Sequence, residues 1–470
     1  MPRRPIALAA ALIATLAAAV PAAAYSPGAA GSGDPYFPFA GNGGYDVSHY
    51  DLELEFDRST NFLQGEADIS ARATQSLSRF NLDLRPFMKV SQVEVDGRRA
   101  SFNPEGDHEL VITPREGIRR GSMFRVEIDY SGEPQAVIDP DGSSEGWIPT
   151  PDGAFVVNEP QGSPGWYPVN DSPKDKATYD FEITVPAGIE AIANGVLESR
   201  KTKRGRTTWE WEERDPMAPY LATATNGEFE TRFGKLLGIP EYNAVDPTTR
   251  TSRTGTTPQP EIAWQRIEQH QPAAVALFSE LYGPYPFDAV GAIVDFAPNV
   301  FYSLESQGKA NYWLVTGYST IVHEIAHQWF GNAVTLERWP DIWLNEGFAT
   351  WSEWIYDERA GTATAQSVFD DLYDGWQPGS YLDRPPADVG GPANLFSGTV
   401  YDRGAMTLQA LREKVGDDRF FRTLRTWYGQ YRYGNASTDD FIEVAERVSG
   451  QDLGEFFQVW LYEPGKPESW

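Results

Sequence analysis

The chain has 470 residues, 41% of them hydrophobic, and carries a formal net charge of −28. That length calls for about two or three domains with a sizeable buried core, and the acidity excludes nucleic acid and anionic membrane surfaces as natural partners. No cysteine is present, which excludes disulfides, thiolate nucleophiles and cysteine metal ligands together.

In chain order, residues 1–24 read as a secretory signal peptide. Arg3 and Arg4 supply the positive start, Ile6 to Val20 an apolar run, and Ala22-Ala23-Ala24 a small-residue cleavage site. A secreted, extracellular protein is the expectation. No later stretch is apolar and long enough to cross a bilayer, so the mature chain is expected to have no membrane span. Residues 25–44 are rich in Gly, Pro, Ala and Ser and read as a flexible leader, with Tyr36, Phe37 and Phe39 as its docking side chains.

Residues 45–232 carry β signals. Tyr50 to Phe56, Ala67 to Ala73, Phe124 to Tyr130 and Tyr179 to Val185 alternate apolar and polar with period two, punctuated by Gly65, Gly97, Gly121 and Gly132. Many short alternating strands predict antiparallel sheets solvated on one face. Residues 233–470 form the second domain, with a surface loop at 247–260. There the period shifts to helical over Ile262 to Leu281, Thr320 to Phe330, Trp343 to Glu358, Gly404 to Glu413, Asp418 to Tyr428, Thr438 to Ser449 and Leu453 to Leu461. Val290 to Phe296 reads as a short buried strand. The predicted fold class is a multidomain α+β chain, with an antiparallel β domain followed by a mostly α domain.

The most specific stretch is His323-Glu324-Ile325-Ala326-His327, followed by Glu346 in Trp343-Leu344-Asn345-Glu346-Gly347. Two imidazoles four apart on a helix share one face, about 6 Å apart along the axis. That spacing lets both reach one Zn²⁺, with Glu346 as the third protein ligand and a fourth position open, as in a catalytic zinc site. Glu324 then stands beside the metal, placed to act as base on a water it activates. One Zn²⁺ per chain is expected. The bland alternative is a pair of helix-face histidines with no metal, but the chain has only five histidines to place.

The segment from His323 to Asn332 with Trp343 to Ala349 resembles the aminopeptidase N family of zinc metallopeptidases. Gly44 to Leu52 and Pro173 to Thr178 look like parts of that family's N-terminal β-saddle domain. The resemblance implies a β-saddle at 45–232 and a thermolysin-like catalytic domain at 233–470, without the large helical C-terminal domain of longer members. It implies His323, His327 and Glu346 as zinc ligands and Glu324 as general base. Tyr401, in Val400-Tyr401-Asp402-Arg403-Gly404, matches the segment of the family's catalytic tyrosine, a donor to the developing oxyanion. Glu305, in Tyr302-Ser303-Leu304-Glu305-Ser306, is similar to the exopeptidase-loop glutamate, and Glu159, in Val157-Asn158-Glu159-Pro160, to a second carboxylate for the substrate ammonium. Ser303, Ser306 and Val157 depart from the family's usual residues there. Asp341 is read either as a partner of a ligating histidine or as a helix cap.

The function implied is a monomeric zinc aminopeptidase acting on peptides with a free N-terminus. The alternatives are a thermolysin-type zinc endopeptidase, an epoxide hydrolase side activity as in the leukotriene hydrolase branch, and a catalytically inactive peptide-binding scaffold.

Overall fold

The computed structural model describes residues 24–469, so the expected signal peptide lies, but for Ala24, outside the described residues. Alternation becomes burial on the first long strand, Tyr45–Asp57, where Val47, Leu52, Leu54 and Phe56 are buried and Glu53 and Glu55 are exposed. It lies in an eight-stranded sheet ordered Val196–Lys203, Arg206–Met217, Ala177–Pro186, Tyr45–Asp57, Phe62–Ala73, Met123–Gly132, Met88–Val95 and Arg98–Arg99. The sheet is antiparallel except at one pairing. Ala177–Pro186 runs parallel to Tyr45–Asp57, from Thr178 opposite His49 to Thr184 opposite Glu55. Its outer face is lined by carboxylates. Asp51 faces Asp68 on one side and Asp180 on the other, a like-charge arrangement that costs stability and that the apolar inner face offsets.

A five-stranded sheet is ordered Val137–Ile138, Ser144–Pro149, Ala154–Val157, Ala224–Gly227 and Glu190–Ala193. All four residues of Ala154–Val157 are buried, and the strand ends directly into Asn158 and Glu159. No residue of this strand faces solvent, so period-two alternation is absent from it.

The leader at 25–44 is packed, contrary to the flexible segment its composition suggests. Ser26–Pro27 pairs in parallel with Leu77–Asp83. Asp34 is buried, accepts from the amides of Tyr36 and Phe37 through Oδ1, and accepts from Trp339 N at 2.8 Å through Oδ2. Phe37 packs edge-on against Trp339. Phe39, expected to dock, is instead 65% exposed. Gly, Pro and Ser make such a segment flexible only when nothing takes its backbone donors, and here buried carboxylates do.

The expected boundary at 232/233 falls inside a strand, Glu230–Leu236. That strand forms a hairpin with Ile239–Val245, which pairs in parallel with Val290–Val294, followed by Ala310–Tyr312. This hairpin therefore belongs to the sheet of the helical half. The helices that follow are α1 (Pro260–Leu281), α2 (Tyr318–His327), α3 (Trp343–Ala360), α4 (Ala365–Gly375), α5 (Gly404–Val415), α6 (Asp417–Tyr431) and α7 (Thr438–Ser449). The sequence reading lacked α4, although Thr364 and Ser367 form a reciprocal capping box at its start. Helix α3 is buried along most of its length, with Trp343, Phe348, Trp351 and Ile355 in the core. It stops at Gly361, which takes the left-handed conformation. Among the described residues no helix is long and apolar enough to cross a membrane.

Candidate metal centre

Helix α2 ends on His327, so both histidines project from its last turns, with ring centroids 4.7 Å apart. Each ring is oriented through Nδ1. That of His323 lies 2.8 Å from Glu353 Oε1, and that of His327 lies 3.0 Å from the Phe330 carbonyl. Nδ1 is thereby engaged in each ring, and each Nε2 points to the same place. Glu346, from the first turn of α3, arrives there with Oε2 at 3.1 Å from His323 Nε2 and 3.4 Å from His327 Nε2. Three donor atoms converge from two helices, and their separations suit a tetrahedral ion with bonds of about 2.0–2.2 Å. The set of two imidazole nitrogens and one carboxylate oxygen fits zinc.

The charges of this set hold one another: against burial, hydrogen bonds to Glu346 and Glu353 raise His323, and Glu305 and Glu346 raise His327 to about 9, so a bound ion takes the place of protons on the imidazoles. Burial works to raise the Glu346 carboxyl, but His327 and the hydrogen bonds from both imidazoles hold it at about 2. Burial pushes Glu324 up to about 8, against the two histidines, with Glu305 and Glu346 adding to the rise. A carboxylate with raised proton affinity suits a group that takes up a proton near neutrality. Glu324 is 4% exposed, and carboxylate oxygens of Glu305 and Glu324 and a nitrogen of His327 all lie within 4.8 Å of one another.

Tyr401 sits on a short π-type turn, Thr399–Arg403, directly before α5. Its ring stacks on His323 with centroids 6.0 Å apart. Burial and the surrounding glutamates keep its phenol protonated well above neutrality, hence a hydrogen-bond donor. Two glycines allow this approach. A Cβ on Gly347, next to Glu346, would lie 2.8 Å from Gly404 Cα, so α3 and the Tyr401 turn meet backbone to backbone. The turn is secured from behind by Arg403, which is fully buried. Its guanidinium donates to the carbonyls of Leu382, Val459, Trp460 and Glu463 at 2.6–3.0 Å.

Glu159 and Glu305 line the same cavity as His323, Glu324, His327, Glu346 and Tyr401, a space of about 410 Å³. Glu305 is 2% and Glu159 6% exposed, and each has an Oε1 without a hydrogen bond. Burying a carboxylate oxygen with nothing to accept from is costly, so the pair is prepared for a cationic donor from outside the chain. The Glu305 loop is tied to the metal helix by Gln328 and Asn332, whose amide nitrogens donate to the Glu305 carbonyl at 3.0 and 2.7 Å.

The structure brings together all seven residues singled out from the sequence as site residues. Asp341 is elsewhere. Its carboxylate accepts from Thr438 Oγ1 and Arg338 Nε, touches no histidine, and makes no side-chain cap on α3. The partner of His323 is Glu353, which the sequence reading did not single out. It stands seven residues, about two helical turns, beyond Glu346 and so on the same face, a spacing that could have disclosed it. Glu353→Gln is expected to weaken zinc binding by about 10–100-fold. Competition with a chelating dye would measure this, and unchanged affinity would refute the orienting role.

Residues 304–460 match the peptidase family M1 domain and residues 47–221 the peptidase M1 N-terminal domain. The chain belongs to peptidase family M1. Among M1 relatives, it is 26% identical to an aminopeptidase A of Gloydius brevicauda over 89% of its own length and 46% of that protein. It is also 26% identical to an aminopeptidase N of Lactobacillus helveticus over 89% of its length and 51% of that protein. It thus spans about half the length of the curated relatives it matches. The M1 zinc metallopeptidase of Deinococcus radiodurans superposes with a TM-score of 0.83 at 28% identity, covering 93% of this chain and 98% of that one. Zinc is the metal of that M1 structure, as it is the metal that fits the donor set here.

Proposed function

We propose that this chain is a zinc aminopeptidase that removes single residues from the free N-terminus of peptides. The observation that carries the reading is the pair of buried carboxylates with unpaired oxygens, Glu159 and Glu305, in one cavity with the His323, His327 and Glu346 donor set. A peptide ammonium supplies the missing donors, and a desolvated charge pair discriminates strongly against chains that lack the charge. The similar Deinococcus radiodurans enzyme has been solved with a Tyr-ser-ala substrate, which supports a peptide as the occupant of this cavity.

His323, His327 and Glu346 would hold the zinc, which would supply Lewis acidity for activating a water and polarising the scissile carbonyl. Glu324 takes the proton of the attacking water on its carboxylate and hands it to the leaving amine. Tyr401 donates its phenolic hydrogen to the developing oxyanion. Glu159 and Glu305 fix the amine so that the first peptide bond is the one presented for cleavage.

The test is hydrolysis of aminoacyl p-nitroanilides by the zinc-loaded protein, beside the same compounds N-acetylated. Free amides are expected to be cleaved at least about 10²-fold faster than acetylated ones, with activity lost to a chelator and restored by zinc. Equal cleavage of blocked and free compounds would instead make the chain an endopeptidase.

A further inference from the structure

With a peptide's amine at Glu159 and Glu305 and its first carbonyl near His323 and Tyr401, its first side chain must enter the rest of the cavity. That remainder is lined by Phe301, Tyr302, Phe396, Asp141 and Ser143. Among the described residues six carboxylates line the cavity, Asp141 together with Glu159, Glu305, Glu324, Glu346 and Glu353, and no lysine or arginine does. Five have tasks in the aminopeptidase reading: one ligates, one moves a proton, two hold the amine and one orients His323. Asp141 is left over.

The local structure holds Asp141 in place. It lies on the turn between Val137–Ile138 and Ser144–Pro149. Its Oδ1 accepts from Ser143 N at 2.8 Å and Ser143 Oγ at 2.6 Å. No hydrogen bond from the described residues reaches Oδ2. Tyr302 fastens the turn to the aromatic wall by donating its hydroxyl to the Ser144 carbonyl at 3.3 Å. Two more carboxylates lie behind the turn. Asp139 and Glu145 are 3% and 0% exposed, and each has one oxygen without a hydrogen bond. The cation that acts on both, Arg85, is itself paired with Asp107. Burial raises both of these carboxyls, Asp139 to about 6, so Asp141 is the acid that faces the cavity at this end. The wall is also suited to stacking: Phe301 carries the Arg253 guanidinium 4.9 Å from its centroid and remains 60% exposed.

We infer that Asp141 is a specificity-determining residue, and that the cavity favours peptides whose first residue has a long basic side chain, arginine or lysine. The aliphatic stem lies on the aromatic rings and the charge meets Asp141 Oδ2. The inference rests on the aminopeptidase reading and adds the substrate class to it.

The experiment measures kcat/KM for arginyl, leucyl and glutamyl p-nitroanilides with zinc-loaded wild type, Asp141→Asn and Asp141→Lys. In wild type the order is Arg above Leu above Glu. The Arg:Leu ratio falls about fivefold in Asp141→Asn, the scale of one partly exposed ion pair with its stacking, and falls further in Asp141→Lys. Raising salt from about 0.05 to 0.5 M compresses the wild-type ratio. An Arg:Leu ratio unchanged across the three proteins, or a wild type that prefers Leu, overturns the inference while leaving the aminopeptidase reading intact. Absence of cleavage for every free aminoacyl amide overturns both.

Discussion

Replacing Glu324 by Gln is expected to lower kcat on an aminoacyl amide by about 10²–10⁴, the usual worth of a positioned general base, with zinc content still near one per chain. The substitution keeps the size of the side chain and touches no ligand. Glu324 directly follows His323 and stands three positions before His327, but it bonds to neither ring and is held by burial in the cavity. Loss of the carboxylate therefore removes proton transfer without dismantling the donor set. Metal analysis beside steady-state kinetics would check both halves. Activity within tenfold of wild type in zinc-replete protein would remove Glu324 from the proton path.

The second large effect is at Tyr401. Tyr401→Phe deletes one hydroxyl from a ring stacked on His323. Loss of a single oxyanion donor costs about 10²–10³ in turnover. Because the bond forms only as charge develops, kcat and kcat/KM are expected to fall together, with KM little changed. A rise in KM at constant kcat would show instead that the tyrosine holds ground-state substrate. The variant should keep its zinc, since the phenol is not one of the three converging donors.

Much of the site was legible because its chemistry is local. The pair His323 and His327 lies within one helical turn, and Glu346 opens the next long helix, so spacing alone sets the donors on facing surfaces. Glu305, Glu159 and Tyr401 were reachable only through their flanking residues. No periodicity brings the end of a β-strand, a loop and a π-type turn to one cavity. That depends on a buried strand that ends two residues before Glu159 and on the backbone contact of Gly347 with Gly404. Asp341 shows the converse. It has the right residue type just ahead of α3, but Arg338 and Thr438 claim both its oxygens.

The fold divided in the same way. Strands with one wet face were readable from alternation, and amphipathic helices from their period. The leader misled because composition reports the freedom of an isolated chain, whereas Asp34 takes three backbone donors and spans the two halves of the molecule. The expected boundary at 232/233 falls within the hairpin of Glu230–Leu236 and Ile239–Val245, whose burial does not alternate as that of Tyr45–Asp57 does. Only its parallel pairing with Val290–Val294 assigns it to the other half.

Arg403 has a mechanical consequence. Its guanidinium knots residues 459–463 to the turn that carries Tyr401, two residues away along the chain. Tension applied to that stretch, by a fused tag or by any neighbour that grips it, is transmitted through charge-assisted bonds to the turn that carries Tyr401. Residues 459–463 are thus a handle on Tyr401, and an engineer who wished to shift that ring from outside the cavity would pull there.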